Sequence, residues 1–293
     1  MISIFKTLWK LGDFSTDIFF KLFDAQIKPM LLYGAEIWGL QTQKLVEQVH
    51  TFALKKLLNV APRTPNDMVY GETGRHPLYI YTYTAVIKYW LRLTRMDNSR
   101  LPRNAYDMLW NLDSNGVTCW ASHVRLVLFS HGFGFVWENQ GVENPKAFTK
   151  VFKQRLIDCH MQDWHFHINS SPRFSVYKCF KSSMYLEPYF CTITNKHLRE
   201  VLIRFRLGIS DLRVHKFRYA EGTPDLSCPF CKSETENEMH FLFNCEHLQI
   251  LRNKYLPATF SKRTDLDALE SLLTNKELAY STSRFIYYAN KMR

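Results

Sequence analysis

Residues 196–207 read KHLREVLIRFRL. Apolar side chains recur there at the three- and four-residue spacing of an α-helix with one buried face: Leu198, Val201, Leu202 and Phe205. Charged side chains fill most of the other positions: Lys196, Arg199, Glu200, Arg204 and Arg206. The stretch therefore predicts an amphipathic helix, and its pattern is the clearest in the chain.

Weaker versions of this pattern extend along most of the 293 residues. They predict helices near residues 18–27 (capped by Asp13 or Ser15), 29–39, 46–57, 78–96, 122–129 and 147–163. Residues 61–77 carry three prolines and two glycines, which predict a loop with at most one helical turn. Strand patterns are weak throughout. We therefore expect a mainly α fold, an irregular multi-helix assembly.

Composition favours a folded protein that meets polyanions. Apolar residues make up 46% of the chain, enough for a buried core, and the formal net charge is +11. The charge is concentrated between residues 145 and 220, where 14 Lys and Arg face only five acidic residues. Six of these cations are our candidates for phosphate contacts: Arg199, Arg204, Arg206, Arg213, Lys216 and Arg218. The alternative is a solvated helical surface.

The sequence shows neither a membrane span nor a signal peptide. The best apolar run, residues 27–40, is too short to span a bilayer and contains Lys28 and Glu36. Lys6 and Lys10 interrupt the N-terminal apolar stretch. We therefore expect a nuclear or cytoplasmic protein that is neither secreted nor membrane-bound. Its seven cysteines, an odd number, should then be thiols rather than disulfides.

The strongest chemical motif is a C-x2-C-x8-H-x4-C spacing formed by Cys228, Cys231, His240 and Cys245. A cysteine pair two residues apart can turn both sulfurs inward, and a later His and Cys can complete a tetrahedral Zn²⁺ site. Four protein ligands leave no open position, so we expect a structural ion in a small CCHC zinc knuckle. The alternative is that these cysteines are buried, unligated thiols.

Two neighbouring features bear on the knuckle. Thr235 and Glu238 have the spacing of a capping box that would begin a helix just before His240. His247 could replace His240 as a ligand or serve as an outer partner. The remaining cysteines lack ligand spacing and are expected to be ordinary core thiols: Cys119, Cys159, Cys179 and Cys191.

Several segments carry a family resemblance. Residues 22–24 (LFD) and 27–39 (IKPMLLYGAEIWG) resemble the segment downstream of the palm in LINE-type (non-LTR) retrotransposon reverse transcriptases. Residues 204–208 (RFRLG), Arg218-Tyr219 and the E-x-E-x-H-F pattern at 236–241 resemble that family's approach to its C-terminal knuckle. The resemblance implies a thumb-like and linker region (1–141), a basic helical region (142–222), the knuckle (223–256) and a helical tail (257–293).

The same resemblance points away from catalysis. The family's polymerases hold metal ions partly through an Asp-Asp pair, and this sequence has none. Palm, fingers and endonuclease segments are not recognisable either. Asp265, Asp267 and Glu270 look like an ordinary capped helix start. We therefore expect no enzyme activity and no small-molecule substrate.

The expected function is non-catalytic binding of RNA, DNA or both, without a membrane partner. Two alternatives remain open. The zinc site could stabilise a structural module that docks on a protein partner. The docking surface would be the one that a missing palm would leave exposed. The chain could also be a decayed retrotransposon relic without a selected role.

Overall fold

The computed structural model describes residues 15–41, 43–260 and 265–293. Across these ranges it contains seventeen α-helices, two isolated β-bridges and no strand. The prediction of a mainly α fold is confirmed. Within the described ranges, no helix combines the length and apolar character needed to cross a membrane.

Ten helices lie between the N-terminus and residue 170. They are α1 (Thr16–Leu22), α2 (Lys28–Leu31), α3 (Ala35–Trp38), α4 (Gln43–Leu57), α5 (Asn66–Thr73), α6 (Tyr79–Leu93), α7 (Leu101–Ser114), α8 (Trp120–Ser130), α9 (Gly134–Glu138) and α10 (Pro145–Ser170). A π-helical turn, Phe23–Ile27, joins α1 to α2.

Seven shorter helices follow. They are α11 (Tyr177–Phe180), α12 (Tyr189–Thr192), α13 (Lys196–Arg206), α14 (Arg213–Lys216), α15 (Gln249–Tyr255), α16 (Leu266–Thr274) and α17 (Leu278–Lys291). Single turns of 3-10 or π helix lie between them: Pro172–Phe174, His240–Asn244, Glu246–Leu248 and Ala258–Phe260.

Among the ten helices up to residue 170, the sequence prediction missed three. Residues 61–77 are not simply a loop, because α5 forms within them and buries six consecutive residues, 68–73. Helix α7 begins at Leu101-Pro102, where proline fits the first turn. Helix α9 lies in a predicted connection. At the N-terminal end, the Ser15 hydroxyl accepts a hydrogen bond from the Ile18 amide (3.3 Å), whereas Asp13 lies outside the described residues.

Contacts divide the chain into two units. Unit 1 holds, among the described residues, 15–19, 54–75 and the range from 165 to 293; unit 2 holds 20–53 and 76–164. The division falls within α1, α4 and α10. The predicted boundaries at residues 141, 222 and 256 do not coincide with it.

Unit 2 has an aromatic core. The Trp90 ring is fully buried, stacks on Trp137 with ring centroids 5.7 Å apart, and donates its indole N–H to the Tyr106 hydroxyl (2.9 Å). Phe133 packs edge-on against Phe148 (5.2 Å). The motif 27–39 also lies in this unit, where α3 packs against α6. Aromatic pairs of this kind add about 0.5–1.5 kcal/mol each beyond their buried area.

Unit 1 is organised around α13, the helix predicted from residues 196–207. The Asn195 side chain caps it by accepting a hydrogen bond from the Leu198 amide (3.2 Å). Its apolar face packs against α17, and Phe205 contacts Phe241, which contacts Phe285. The helix therefore joins the C-terminal helices to the segment that carries the knuckle.

Candidate metal centre and basic groove

The first two metal-ligand candidates lie on a tight backbone turn. The Cys228 amide donates to the Glu234 carbonyl (2.7 Å), and the Lys232 amide donates back to the Cys228 carbonyl (2.9 Å). Lys232 takes a left-handed conformation (φ 57°), which lets the chain reverse immediately after Cys231. This turn places the Cys228 and Cys231 sulfurs on one side of the loop.

The other two candidates, His240 and Cys245, lie on a helical turn whose N-terminal cap differs from the predicted one. The Asn237 side chain, not Thr235, accepts the hydrogen bond from the His240 amide (2.8 Å). The predicted capping box is therefore wrong, because the Glu238 carboxylate bonds to another residue instead. A π-helical turn, His240–Asn244, then brings the chain to Cys245, whose amide donates to the His240 carbonyl (2.8 Å).

Together these four side chains form a group that can hold a metal ion. Their ligand atoms all lie within 4.8 Å of one another. The Cys228 and Cys245 sulfurs are 3.8 Å apart, and the Cys231 sulfur is 3.4 Å from His240 Nε2. A tetrahedral Zn²⁺ site with ordinary bond lengths needs separations of about 3.8 and 3.6 Å, respectively. These two separations match a tetrahedral ion, and all four side chains lie close enough together to hold one metal ion.

Two of the sulfurs have unlike surroundings. Hydrogen bonds from Ser233 lower the pKa of Cys231 to about 6, against the opposite effect of burial. Burial raises the pKa of Cys245 to about 12, and the neighbouring Cys228 sulfur acts in the same direction. A cation is the group that would allow both sulfurs to be thiolates at neutral pH.

Two residues orient the ligands, and neither was predicted from the sequence. The Glu234 carboxylate is 2.6 Å from His240 Nδ1, so Nε2 is the ring nitrogen that faces the sulfurs. The Arg252 guanidinium is buried and donates to the carbonyl oxygens of Leu242 (2.8 Å) and Cys245 (2.9 Å). His247 is exposed and is not part of the ligand group. The outer-partner role suggested for it belongs to Glu234.

The knuckle is tied to α14 by two buried carboxylates. Glu236 accepts a hydrogen bond from the Arg213 amide (2.9 Å) at the beginning of α14. Glu238 lies 2.8 Å from His215 Nε2, and the other ring nitrogen of His215 is 2.8 Å from the Ser210 hydroxyl. The side chains that fix α14 thus lie within four residues of the candidate ligand His240.

Next to α14 lies an open groove of about 560 Å³ in unit 1. Its lining includes five cationic side chains: Arg63, Arg173, Arg204, Lys216 and Arg218. Only one carboxylate, that of Asp211, lines it as well, and the exposed Tyr219 ring lies 5.6 Å from the Arg173 guanidinium. We call this surface the basic groove.

Among the described residues, the cations of the basic groove have no close carboxylate partners, and three of them, Arg63, Arg173 and Arg218, lie near enough to repel one another. In the part of the chain that the structure describes, none of the five has a carboxylate within 4.0 Å. Burial lowers the pKa of Arg173, and the nearby Arg218 and Arg63 guanidinium groups lower it further, against an opposite effect of Tyr219. The Arg173 Nε atom is buried and has no hydrogen-bond partner. The groove therefore carries a positive charge that an anion would neutralise.

Three of the six phosphate-contact candidates line this groove: Arg204, Lys216 and Arg218. Arg213 instead pairs with Asp225 (2.5 Å), and Arg199 donates to the Ile193 carbonyl (3.0 Å). Arg63 and Arg173 were not among the candidates, because residue 63 lies far away in sequence and residue 173 follows a break in the helical pattern.

Arg206 requires a correction. Its guanidinium is buried, donates twice to Glu72 (3.0 Å each), and lies 3.1 Å from Glu187 Oε2. Lys181 pairs with Glu187 in the same interior cluster. Arg206 has no surface on which to meet a phosphate in this structure. Its position explains why: Arg206 follows the buried Leu202 by four residues and so shares its helix face.

Two further predictions concern the Asp265 cap, which is confirmed, and the four remaining cysteines, which are not in the core. The Asp265 carboxylate accepts the Ala268 amide hydrogen bond (2.7 Å), which confirms a capped helix start. Four cysteines lie outside the ligand group: Cys119, Cys159, Cys179 and Cys191. They are not core thiols, since Cys191 is exposed and the other three are partly exposed.

Comparison of the chain with protein-family models, curated proteins and solved structures gives no match. The resemblance to LINE-type reverse transcriptases therefore rests on the sequence motifs quoted above.

Proposed function

We propose that this protein binds nucleic acid through the basic groove and holds a structural Zn²⁺ ion in its knuckle. One observation carries the proposal: five cations line one groove, and none of them has a carboxylate within ion-pair distance in the described ranges. Surface cations of folded proteins are commonly near counter-charges, whereas a nucleic-acid site needs its cations unneutralised.

Phosphate binding would relieve the crowding within the groove. Each Lys or Arg that neutralises a phosphate also releases condensed counterions, which makes the binding strongly salt-dependent. Arg173 and Arg218 offer guanidinium forks, which match phosphate oxygens in geometry. Lys216 adds a point charge, and the exposed Tyr219 offers a ring face for base stacking.

The metal is proposed to be Zn²⁺ from the chemistry of its ligands. Three thiols and one imidazole at tetrahedral separations suit zinc better than the oxygen-preferring Mg²⁺ or Ca²⁺. Four protein ligands would close the coordination sphere, so the ion would stabilise the fold without acting on a substrate. Metal binding would be coupled to the folding of this segment, because a preformed four-ligand site rarely exists in an unfolded chain.

The resemblance to the C-terminal part of LINE-type reverse transcriptases agrees with this proposal. It implies RNA or DNA as the partner and a role in gripping nucleic acid. Without a recognisable Asp-Asp pair, we propose no polymerase activity for the chain.

The test is a salt series of fluorescence-anisotropy titrations with labelled RNA, single-stranded DNA and duplex DNA. For the Lys216→Ala/Arg218→Ala variant we expect weaker binding to every probe. Each lost phosphate contact should lower the slope of log K against log salt by about one, so the pair should lower it by about two.

A matched control removes two exposed lysines that lie outside the groove lining, in Lys254→Ala/Lys276→Ala. This variant makes the same change in net charge and should keep nearly the wild-type slope. Equal slopes for the wild type and the groove variant would refute the proposed site. An equal loss in both variants would mean that only net charge matters.

A second candidate function is docking to a protein, and one observation favours it. Helix α7 in unit 2 exposes Leu101, Met108, Trp110 and Leu112, with exposed fractions from 41% to 82%. Leu101, Met108 and Leu112 share one helix face by their spacings of seven and four residues. Exposed apolar side chains grouped in this way are typical of interaction sites. A partner captured from cell extract equally well after nuclease treatment, and lost in Met108→Lys, would support this function.

A further inference from the structure

A smaller cavity opens beside the basic groove, also within unit 1. Its volume is about 250 Å³, and four residues line both spaces: Arg173, Gly208, His215 and Arg218. Pockets for drug-sized ligands begin at about 300 Å³, so this cavity has room for a ring system rather than a whole ligand. We call it the side cavity.

The walls of the side cavity are suited to a flat, partly polar ring. Met68, Val176 and Val214 supply apolar side chains, and the buried Tyr177 supplies an aromatic one. Among the residues that line it, the Asn237 side-chain amide donates no hydrogen bond. Arg173 Nε, whose residue lines both spaces, is the buried donor without a partner. The lining also includes two buried charged residues, Arg206 and Glu238, which pair with Glu72 and His215 respectively. Apolar and aromatic side chains beside unpaired donors suit a ring that carries carbonyl acceptors.

The junction between the two spaces fixes what kind of ring can enter. A group in the side cavity lies next to Arg173 and Arg218, and the remaining cations continue along the groove. A ligand that places a ring in the cavity, its own phosphate at the junction and neighbouring phosphates along the groove is a nucleotide within a strand. Gly208 helps to shape this junction, because a Cβ there would come within 3.0 Å of Arg218 Nη2.

We propose that the side cavity binds one unpaired nucleobase while the basic groove holds the flanking phosphates. The ligand class is therefore single-stranded nucleic acid with a base free to leave its stack. A duplex keeps its bases paired and could reach only the cations of the groove. This inference rests on the proposed function, since it takes the groove as the phosphate site.

The experiment compares three probes of equal length on the intact zinc-loaded protein: oligouridine, its abasic counterpart, and a duplex. Oligouridine is chosen because uracil carries two carbonyl acceptors and stacks weakly. One stacked base contributes enough to change affinity about fivefold or more. We expect the abasic strand to bind at least that much more weakly than oligouridine, with an unchanged salt slope.

Two variants, Val176→Phe and Val214→Phe, fill the side cavity and leave every cationic residue in place. Val176→Ala and Val214→Ala are their controls. A phenylalanine should abolish the difference between oligouridine and the abasic strand and leave duplex binding unchanged. Two positions are used because either phenylalanine could disturb the fold, which circular dichroism would reveal.

The outcomes separate the two proposals. If no probe binds at low salt, the proposed function fails and the base site fails with it. If oligouridine and the abasic strand bind the wild type equally, the base site alone is refuted. The base site is also refuted if folded phenylalanine variants keep the wild-type preference for oligouridine.

Discussion

Replacing Arg206 by methionine should strongly destabilise unit 1. It should not act as the loss of a direct nucleic-acid contact. Methionine keeps much of the side-chain volume and helix propensity of arginine but removes the guanidinium. Four interactions are lost: two hydrogen bonds to Glu72, one to the Leu273 carbonyl (2.5 Å), and the ion pair with Glu187. The change leaves the Glu72 carboxylate buried, with the Tyr189 hydroxyl (2.5 Å) still donating to it.

The expected cost is large. Removing one partner of a buried ion pair destabilises a protein by about 3–5 kcal/mol, because the other charge remains desolvated. Domains are commonly stable by only about 5–15 kcal/mol, so Arg206→Met should remove a large share of the stability of unit 1. Lys181 is within the same cluster and still pairs with Glu187. The destabilisation should therefore arise mainly from the Glu72 carboxylate, which stays buried without its guanidinium partner.

The size of this loss should depend on pH. Burial opposes ionisation of Glu72, but Arg206 and Lys181 outweigh it and lower the pKa of Glu72 in the wild type. Glu72 therefore stabilises the wild-type fold above its unfolded pKa, and this contribution disappears as pH falls through the folded value. In Arg206→Met burial dominates, so the folded pKa of Glu72 rises above the unfolded one. The variant should then be closest to the wild type in acid and weakest at neutral pH.

The assay must report on unit 1. The tryptophans that the structure describes all lie in unit 2: Trp38, Trp90, Trp110, Trp120, Trp137 and Trp164. Six of the seven tryptophans would therefore report on unit 2, and Trp9 lies outside the described residues, so tryptophan fluorescence would follow mainly unit 2. Urea unfolding should instead be followed by far-ultraviolet circular dichroism, with hydrogen exchange at α13 and α17 to assign the change.

Arg204→Met is the matched control, two residues earlier in the same helix. Arg204 is exposed and lines the basic groove. Its loss should change the unfolding free energy by less than about 0.5 kcal/mol and lower the salt slope of RNA binding by about one. The reasoning is refuted if Arg206→Met keeps wild-type stability and lowers the salt slope, since Arg206 would then be a surface contact.

Three further predictions concern the groove and the metal group. Gly208 has φ +60° at the end of α13, so Gly208→Ala should cost about 1–2 kcal/mol in urea unfolding and weaken RNA binding by displacing Arg218. A zinc chelator should reduce both the helical circular dichroism and the RNA affinity, and added Zn²⁺ should restore them. Calorimetry should show proton release on Zn²⁺ binding and an affinity that rises about tenfold or more per pH unit near neutrality, because the pKa of Cys245 is raised to about 12. A pH-independent affinity would contradict that assignment.

The helices and the metal ligands could be predicted because their signals are local. Residues 196–207 show their periodicity within twelve positions, and Cys228, Cys231, His240 and Cys245 lie within eighteen. Helix α7 was missed although its apolar residues recur at helical spacing as clearly as those of α4 and α6, which were predicted. Most of its large apolar side chains are exposed, so its pattern does not mark a buried face.

The basic groove and the Arg206 cluster could not be predicted because their partners are remote. Glu72 precedes Arg206 by 134 residues, and Arg63 joins Arg204 and Arg218 only in the folded chain. The sequence analysis counted Arg206 among the charged positions outside the apolar face, although Arg206 follows the buried Leu202 by four residues and shares its face. An arginine there is usually taken as a surface residue, since buried arginines need a carboxylate that the local sequence does not show.

The metal group should control the groove through α14. A four-residue helix has no stability of its own, since an isolated helix needs about 12–15 residues to be even marginal in water. Two carboxylates fix α14: Glu236 accepts the Arg213 amide, and Glu238 holds His215. Both precede the candidate ligand His240 by at most four residues, so an ion that orders His240 also orders these carboxylates. Lys216 and Arg218 follow His215 directly and line the groove. A metal that touches no phosphate is therefore expected to set the position of two phosphate-binding side chains.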